Sequence, residues 1–68
     1  MFNSIDSFSE LLRKQYGTAL LNKRHAAKEL SVSRATLDRM RQQGLIRSQK
    51  IGEQIRFNVK EIARVVMS

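Results

Sequence analysis

Between Ala26 and Gly44 this chain holds two helix-length stretches separated by only three residues. In the first, the small apolar pair Ala26 and Ala27 is followed by Leu30, a spacing that places all three on one face of a helix. Ser31-Val32-Ser33 then reads as a tight turn. Ser33 can cap the second helix, because its hydroxyl can accept an orphan backbone N–H of the first turn. Leu37, Met40 and Gly44 fall along one side of that second helix. Arg34, Ala35, Asp38, Arg39 and Gln42 fall roughly opposite, which predicts a buried stripe and a polar, basic outer face.

Two helices joined this closely, the second with such an outer face, predict a helix-turn-helix. The charge supports it. The chain of 68 residues carries a formal charge of +7. Residues 1–22 balance Arg13 and Lys14 against Asp6 and Glu10, and residues 57–68 add one net positive charge. The remaining +6 lies within residues 23–56, nine basic side chains against three acidic ones. An excess concentrated on the candidate motif points to a polyanion such as nucleic acid. A solvated basic surface is the alternative that charge alone leaves open.

So short a chain buries only about 60% of its unfolded surface, so one small domain over residues 1–68 is expected. It has no cysteine and a single histidine, His25, which argues against disulfides and against a zinc site. No apolar run approaches the roughly 20 residues that span a bilayer, and the opening MFNSIDSFSE lacks the basic region of a signal peptide. A soluble, cytoplasmic, nucleoid-associated protein is the expectation. There is no paired-carboxylate spacing, nucleophile motif or phosphate loop, so it is not expected to be an enzyme and no cofactor is implied.

Flanking elements follow from local signals. Phe8, Leu11, Leu12 and Tyr16 predict an amphipathic N-terminal helix over 7–16, with Ser7 and Glu10 as a capping box and Gly17 as its stop. Its expected role is to cover the core of an undersized domain, with a dimer contact as the alternative. Thr18 to Leu21 is extended, and Asn22 caps the helix that starts at Lys23. Lys23, Arg24 and Lys28 decorate that helix. The first two lie in its first turn, where the macrodipole disfavours cations, so an external anion such as a phosphate would offset the cost. His25 reads as a surface or half-buried residue, since no second titratable group is placed to work with it.

After Gly44 the period changes to two. Arg47–Ile51 and Gln54–Phe57 read as strands joined through Gly52-Glu53, a hairpin within 46–57 with Ile55 and Phe57 inward and Gln54 and Arg56 outward. Such a hairpin is a wing, and its outer surface would present Arg47, Lys50, Gln54 and Arg56. Asn58 with Glu61 predicts a second capping box for a closing helix over 59–67, with Phe57 and Ile62 as a hydrophobic staple. The fold class is therefore mostly α with a small β-hairpin: a winged helix-turn-helix with an extra N-terminal helix.

From Leu21 to about Val66, in LNKRHAAKELSVSRATLDRMRQQGLI and KIGEQIRFNVKEI, the chain resembles the excisionase family of winged-helix DNA-binding proteins, related to MerR-type and AlpA-type regulators. The matching residues are Ala27 with Leu30, Val32-Ser33-Arg34 and Thr36, Gly44, and Gly52 with Arg56. Two positions depart from the family. Ser31 stands where glycine is usual, and serine tolerates a left-handed backbone poorly. Asp38 stands where the family commonly has a large side chain. It can accept from a cytosine amine in the major groove, or steer Arg34 or Arg41 through i,i+4 and i,i+3 pairing, and the second role is preferred.

Docking the second helix of the motif in the major groove brings Ser33, Arg34, Thr36, Asp38, Arg39 and Gln42 to base edges or phosphates. Lys23, Arg24 and Lys28 would grip the backbone, and Arg47, Lys50, Gln54 and Arg56 would serve the wing. The resemblance implies a recombination directionality factor that binds and bends attachment-site DNA, so that an integrase excises a mobile element. Double-stranded DNA, a site-specific integrase and further copies of the chain on DNA are the partners it implies, with no membrane. A small phage- or plasmid-type transcriptional regulator is the alternative on the same fold. A basic adaptor for an acidic protein is a third reading.

Overall fold

Phe57 is fully enclosed, at the point where every element but one meets. In the computed structural model, which describes residues Ser4–Ser68, the elements run α1 (Ser4–Tyr16), β1 (Leu20–Leu21), α2 (Lys23–Leu30), α3 (Arg34–Gln42), β2 (Gln49–Ile51), β3 (Gln54–Asn58) and α4 (Val59–Met67). Leu12 of α1, Leu21 of β1, Ala26 and Ala27 of α2, Leu37 of α3, Ile46 of the α3–β2 connection, and Val59 and Ile62 of α4 form one buried cluster with Phe57. Only β2 sends nothing into this core, so the hairpin projects from it. Among the described residues no helix is long and apolar enough to cross a membrane. Met1–Asn3 lie outside the described residues, and so does that part of the expectation drawn from the opening ten.

The helix stops behave as their residues dictate. Gly17 (φ +71°) closes α1, its N–H donating to the Arg13 carbonyl at 2.9 Å. At the end of α3 the Gly44 N–H bonds the Arg41 carbonyl and the Leu45 N–H bonds the Met40 carbonyl, at 3.1 and 2.9 Å. Those paired bonds around a left-handed residue are a Schellman motif. The end of α2 repeats it with Ser31 in the left-handed place: Ser31 N–H to Lys28 at 3.1 Å and Val32 N–H to Ala27 at 3.0 Å. Ser31 has φ 58° and ψ 40° and is the only non-glycine residue with positive φ among those described.

The helix-turn-helix thus keeps its turn without the glycine, at the cost of strain. A side chain in this conformation costs about 1–2 kcal/mol. Glycine recovers that, less about 0.4–1 kcal/mol for its looser unfolded chain. Ser31→Gly should therefore stabilise the domain by about 0.5–1 kcal/mol, or several degrees of Tm at about 4–8 °C per kcal/mol for this size. Thermal unfolding followed by circular dichroism reads it, and an unchanged or lower Tm would show that the turn is relaxed with serine.

Three expectations need correction, and a fourth, the extended stretch before Asn22, is borne out and goes further. First, α1 starts at Ser4 rather than Ser7, because Ile5 and Phe8 extend the apolar face by another turn and Asp6 suits the first turn of the helix. Ser7 is consequently inside the helix, and Glu10 pairs with Arg13. Leu11, expected on the covered face, is exposed, since the buried stripe runs through Ser9 and Leu12. The extended stretch holds β1, which also pairs antiparallel with β3 (Leu20 opposite Asn58, Leu21 opposite Phe57), making a three-stranded sheet of order β1-β3-β2.

Second, the first wing strand begins at Gln49 rather than Arg47, because the Arg47 N–H is taken by the Glu61 carboxylate at 2.9 Å before the ladder starts. Third, that same bond withdraws Glu61 from the expected capping box. Asn58 alone caps α4, accepting from the Lys60 N–H at 2.8 Å. Glu61 also accepts from Arg64 Nε at 3.0 Å, and Arg64 reaches the Leu45 carbonyl at 3.2 Å, so α4 holds the connection between α3 and the wing. Arg64 first, then the Arg47 amide, hold the Glu61 carboxyl below its usual range. Phe57 and Ile62, the expected staple pair, are both fully buried in the same core cluster.

α1 packs chiefly on α4 and is tied to α2 by Tyr16, whose hydroxyl donates to the Glu29 carboxylate and whose ring lies 4.6 Å from that of His25. Hydrogen bonding to Glu29, then burial, pushes the Tyr16 phenol up to about 12. Tyr16 is the only tyrosine in the chain, so its ultraviolet titration is unobscured. The folded protein should titrate near 12, against about 10 for a free phenol, and Glu29→Gln should bring it back down. Because the folded-state value is the higher one, this contact's stabilisation is complete below about pH 10 and is lost as pH rises towards 12. A native titration near 10 would mean that the hydroxyl is not so held.

Candidate nucleic-acid interface

The local chemistry that starts α2 and α3 also orients their first residues. Asn22 accepts from the His25 N–H at 2.8 Å and starts α2, leaving Lys23 and Arg24 in its first turn. Ser33 accepts from the Thr36 N–H at 3.1 Å and starts α3, leaving Arg34 as its first residue. Gly52 alone of the turn pair has positive φ, the pattern of a type II′ hairpin, and it sets Ile51 opposite Gln54, Lys50 opposite Ile55 and Gln49 opposite Arg56.

These three starts converge. Lys23 and Arg24 of α2, Arg34 of α3, and Gln54 and Arg56 of β3 line one open cleft of about 500 Å³, together with Asn22, Glu53 and Ile55. Members of all three expected groups, backbone grip, recognition helix and wing, therefore share one groove. Gln54 accepts from Arg56, which orders the guanidinium along the strand. Arg24 and Arg34 form no ion pair among the described residues, and both are exposed. Four cations thus face the cleft, with Glu53 as the one carboxylate on its lining.

Asp38 is half-buried and already engaged. Its Oδ1 lies 3.0 Å from Lys23 Nζ and 3.5 Å from Arg41 Nη2, so it ties α3 back to α2. Lys23 first, and Arg41 after it, hold the Asp38 carboxyl below its usual range. Steering of Arg41 is therefore present, steering of Arg34 is not, and the main partner is a lysine fifteen residues earlier in the chain. Lys23 has its anion from within the protein, which leaves Arg24 as the uncompensated cation of that helix turn.

Ser33 and Thr36 are similarly occupied. The Ser33 hydroxyl donates to Thr36 Oγ1 at 3.1 Å, and Arg39 Nη2 donates to the same oxygen at 3.2 Å. Arg39 and Gln42 stand exposed on the outer face of α3, and Lys28 is exposed on α2 without lining the cleft.

The wing residues do not share one surface, contrary to expectation. Side chains alternate along a strand, and directly opposed residues of an antiparallel pair share a face. Lys50 therefore lies on the Ile55 face, and Gln54 and Arg56 lie on the other. Arg47 lines a separate cleft of about 290 Å³ with Ser48, Gln49, Asn58, Lys60 and Glu61, sharing no residue with the first. Sequence reasoning also passed over Ile51, which the two-residue turn sets on the same face as Gln54.

This arrangement can hold a duplex backbone in the cleft while α3 offers arginine and glutamine to base edges. A family model for a helix-turn-helix domain matches residues 20–68, which takes in everything but α1 and its stop. No curated protein and no solved structure matches the chain. With both motif helices, the wing and the closing helix inside the match, the chain belongs to the helix-turn-helix domain family of DNA-binding proteins, which includes excisionase-like and AlpA-like members.

Proposed function

We propose that this protein is an architectural, non-enzymatic DNA-binding factor of the excisionase type, which bends duplex DNA beside an attachment site so that an integrase can excise a mobile element. The observation that carries this reading is the cleft shared by Lys23, Arg24, Arg34 and Arg56. It lets one strand's phosphates be held by two helix starts and the wing while α3 enters the neighbouring major groove. In this docking Arg39 and Gln42 read bases, Arg24, Arg34 and Arg56 take phosphates, and Asp38 keeps α2 and α3 in register. Copies bound side by side would extend the bend.

Two measurements on the full chain test it. Gel retardation on a mixed-sequence duplex at low salt should show binding at micromolar protein, since +6 within residues 23–56 gives nonspecific affinity to any duplex. An excision assay with a cognate integrase should then depend on the protein. Bending without excision would assign it to transcriptional regulation instead, and absence of retardation would favour an acidic protein partner.

A further inference from the structure

We propose that Ile51, at the tip of the wing, is an apolar wedge that enters the minor groove and bends the duplex. The inference deepens the DNA-binding reading above and rests on it. Ile51 is the last residue of β2 and is 51% exposed, although β-branched apolar side chains are normally spent on a core. The hairpin has no packing need for it, since no residue of β2 joins the buried cluster.

Its direction is settled by the turn. The type II′ pattern at Gly52 makes Ile51 and Gln54 the outermost opposed pair, so Ile51 shares its face of the hairpin with Gln54 and Arg56. Both of those side chains line the basic cleft. The apolar tip is therefore continuous with the surface that takes the phosphates, unlike exposed Leu11, Val66 and Met67, which lie on α1 and α4, and Leu45, which follows the stop of α3 away from the cleft lining. Glu53 at the same tip repels phosphate, so Ile51 rather than a charge is the tip's point of contact. Proteins that bend DNA from the minor groove join flanking cations to an inserted apolar side chain that opens a base step. Arg56 and Lys50 are such cations, one on each face of the hairpin.

The test compares Ile51→Thr with Ile51→Val, two β-branched replacements of nearly equal shape that differ in polarity. At an exposed site neither threatens folding. Bending is read by energy transfer between dyes at the ends of a short duplex with TA and CA steps at its centre, where kinking is easiest. The wild type and Ile51→Val should bend the duplex, and Ile51→Thr should lose about half or more of the signal, as an unstacking wedge requires. The salt dependence of binding should be the same for all three, because no charge is removed.

An unbent duplex with the wild type, or equal bends with threonine, would overturn the proposal. So would a loss of cooperativity with the bend intact, which would put Ile51 between neighbouring copies. An Arg34→Ala/Arg56→Ala double variant is the separate control. If it binds like the wild type, the docking itself is wrong, whatever Ile51 does.

Discussion

Phe57→Ala should leave this protein unfolded in water at room temperature. The ring is fully buried and touches a cluster to which α1, β1, α2, α3 and α4 all contribute. It also sits in the central strand of the sheet, opposite Leu21. Truncating a buried phenylalanine costs about 3–5 kcal/mol. Domains under about 70–80 residues rarely have more than about 3–5 kcal/mol in total from a single core. The chain has no cysteine, so no disulfide can make up the loss. Far-UV circular dichroism should show the helical signal gone, and a denaturant titration should show no cooperative transition. A transition with a midpoint near that of the wild type would mean that the elements hold together without the ring.

The second large effect separates two arginines of the same helix. Arg34→Ala should weaken binding to every duplex alike and lower the slope of log affinity against log salt by about one, because Arg34 faces the cleft as an unpaired cation. Arg39→Ala should instead cost about 1–3 kcal/mol on a selected site and relax its sequence preference, since Arg39 stands on the exposed face of α3. Arg39 gives one donor to Thr36 Oγ1, which steadies the guanidinium and leaves its other donors for a guanine edge. Titrations of both variants on selected and scrambled duplexes at two salt concentrations would read the difference. Identical losses on both duplexes for Arg39→Ala would remove it from base recognition.

The helix-turn-helix, the wing turn and the closing helix were legible because their signals are local. Asn22, Ser33 and Asn58 each cap through a side-chain oxygen two or three residues from the N–H it binds. Gly17, Gly44 and Gly52 each occupy a left-handed position that a stop or a hairpin demands. The start of α1 departs from expectation for the same local reason. Ser7 and Glu10 have capping-box spacing, but Ile5 and Phe8 carry the apolar face past them. Glu61 likewise has the right spacing from Asn58, but its carboxylate is committed to Arg47 and Arg64.

By itself, the sequence determined where α2, α3 and α4 begin, where α1 and α3 stop, which face of α3 is polar, and where the hairpin turns. Those choices are settled within about four residues by capping, handedness and periodicity. Only the tertiary structure decided that Lys23 belongs to Asp38, that β1 joins β3, and that Arg34 meets Arg56 across one cleft while Arg47 does not. Each of those outcomes joins elements far apart in the chain. It depends on the angle at which α2, α3 and the wing pack on Phe57 and its neighbours, and spacing along the sequence does not encode that angle.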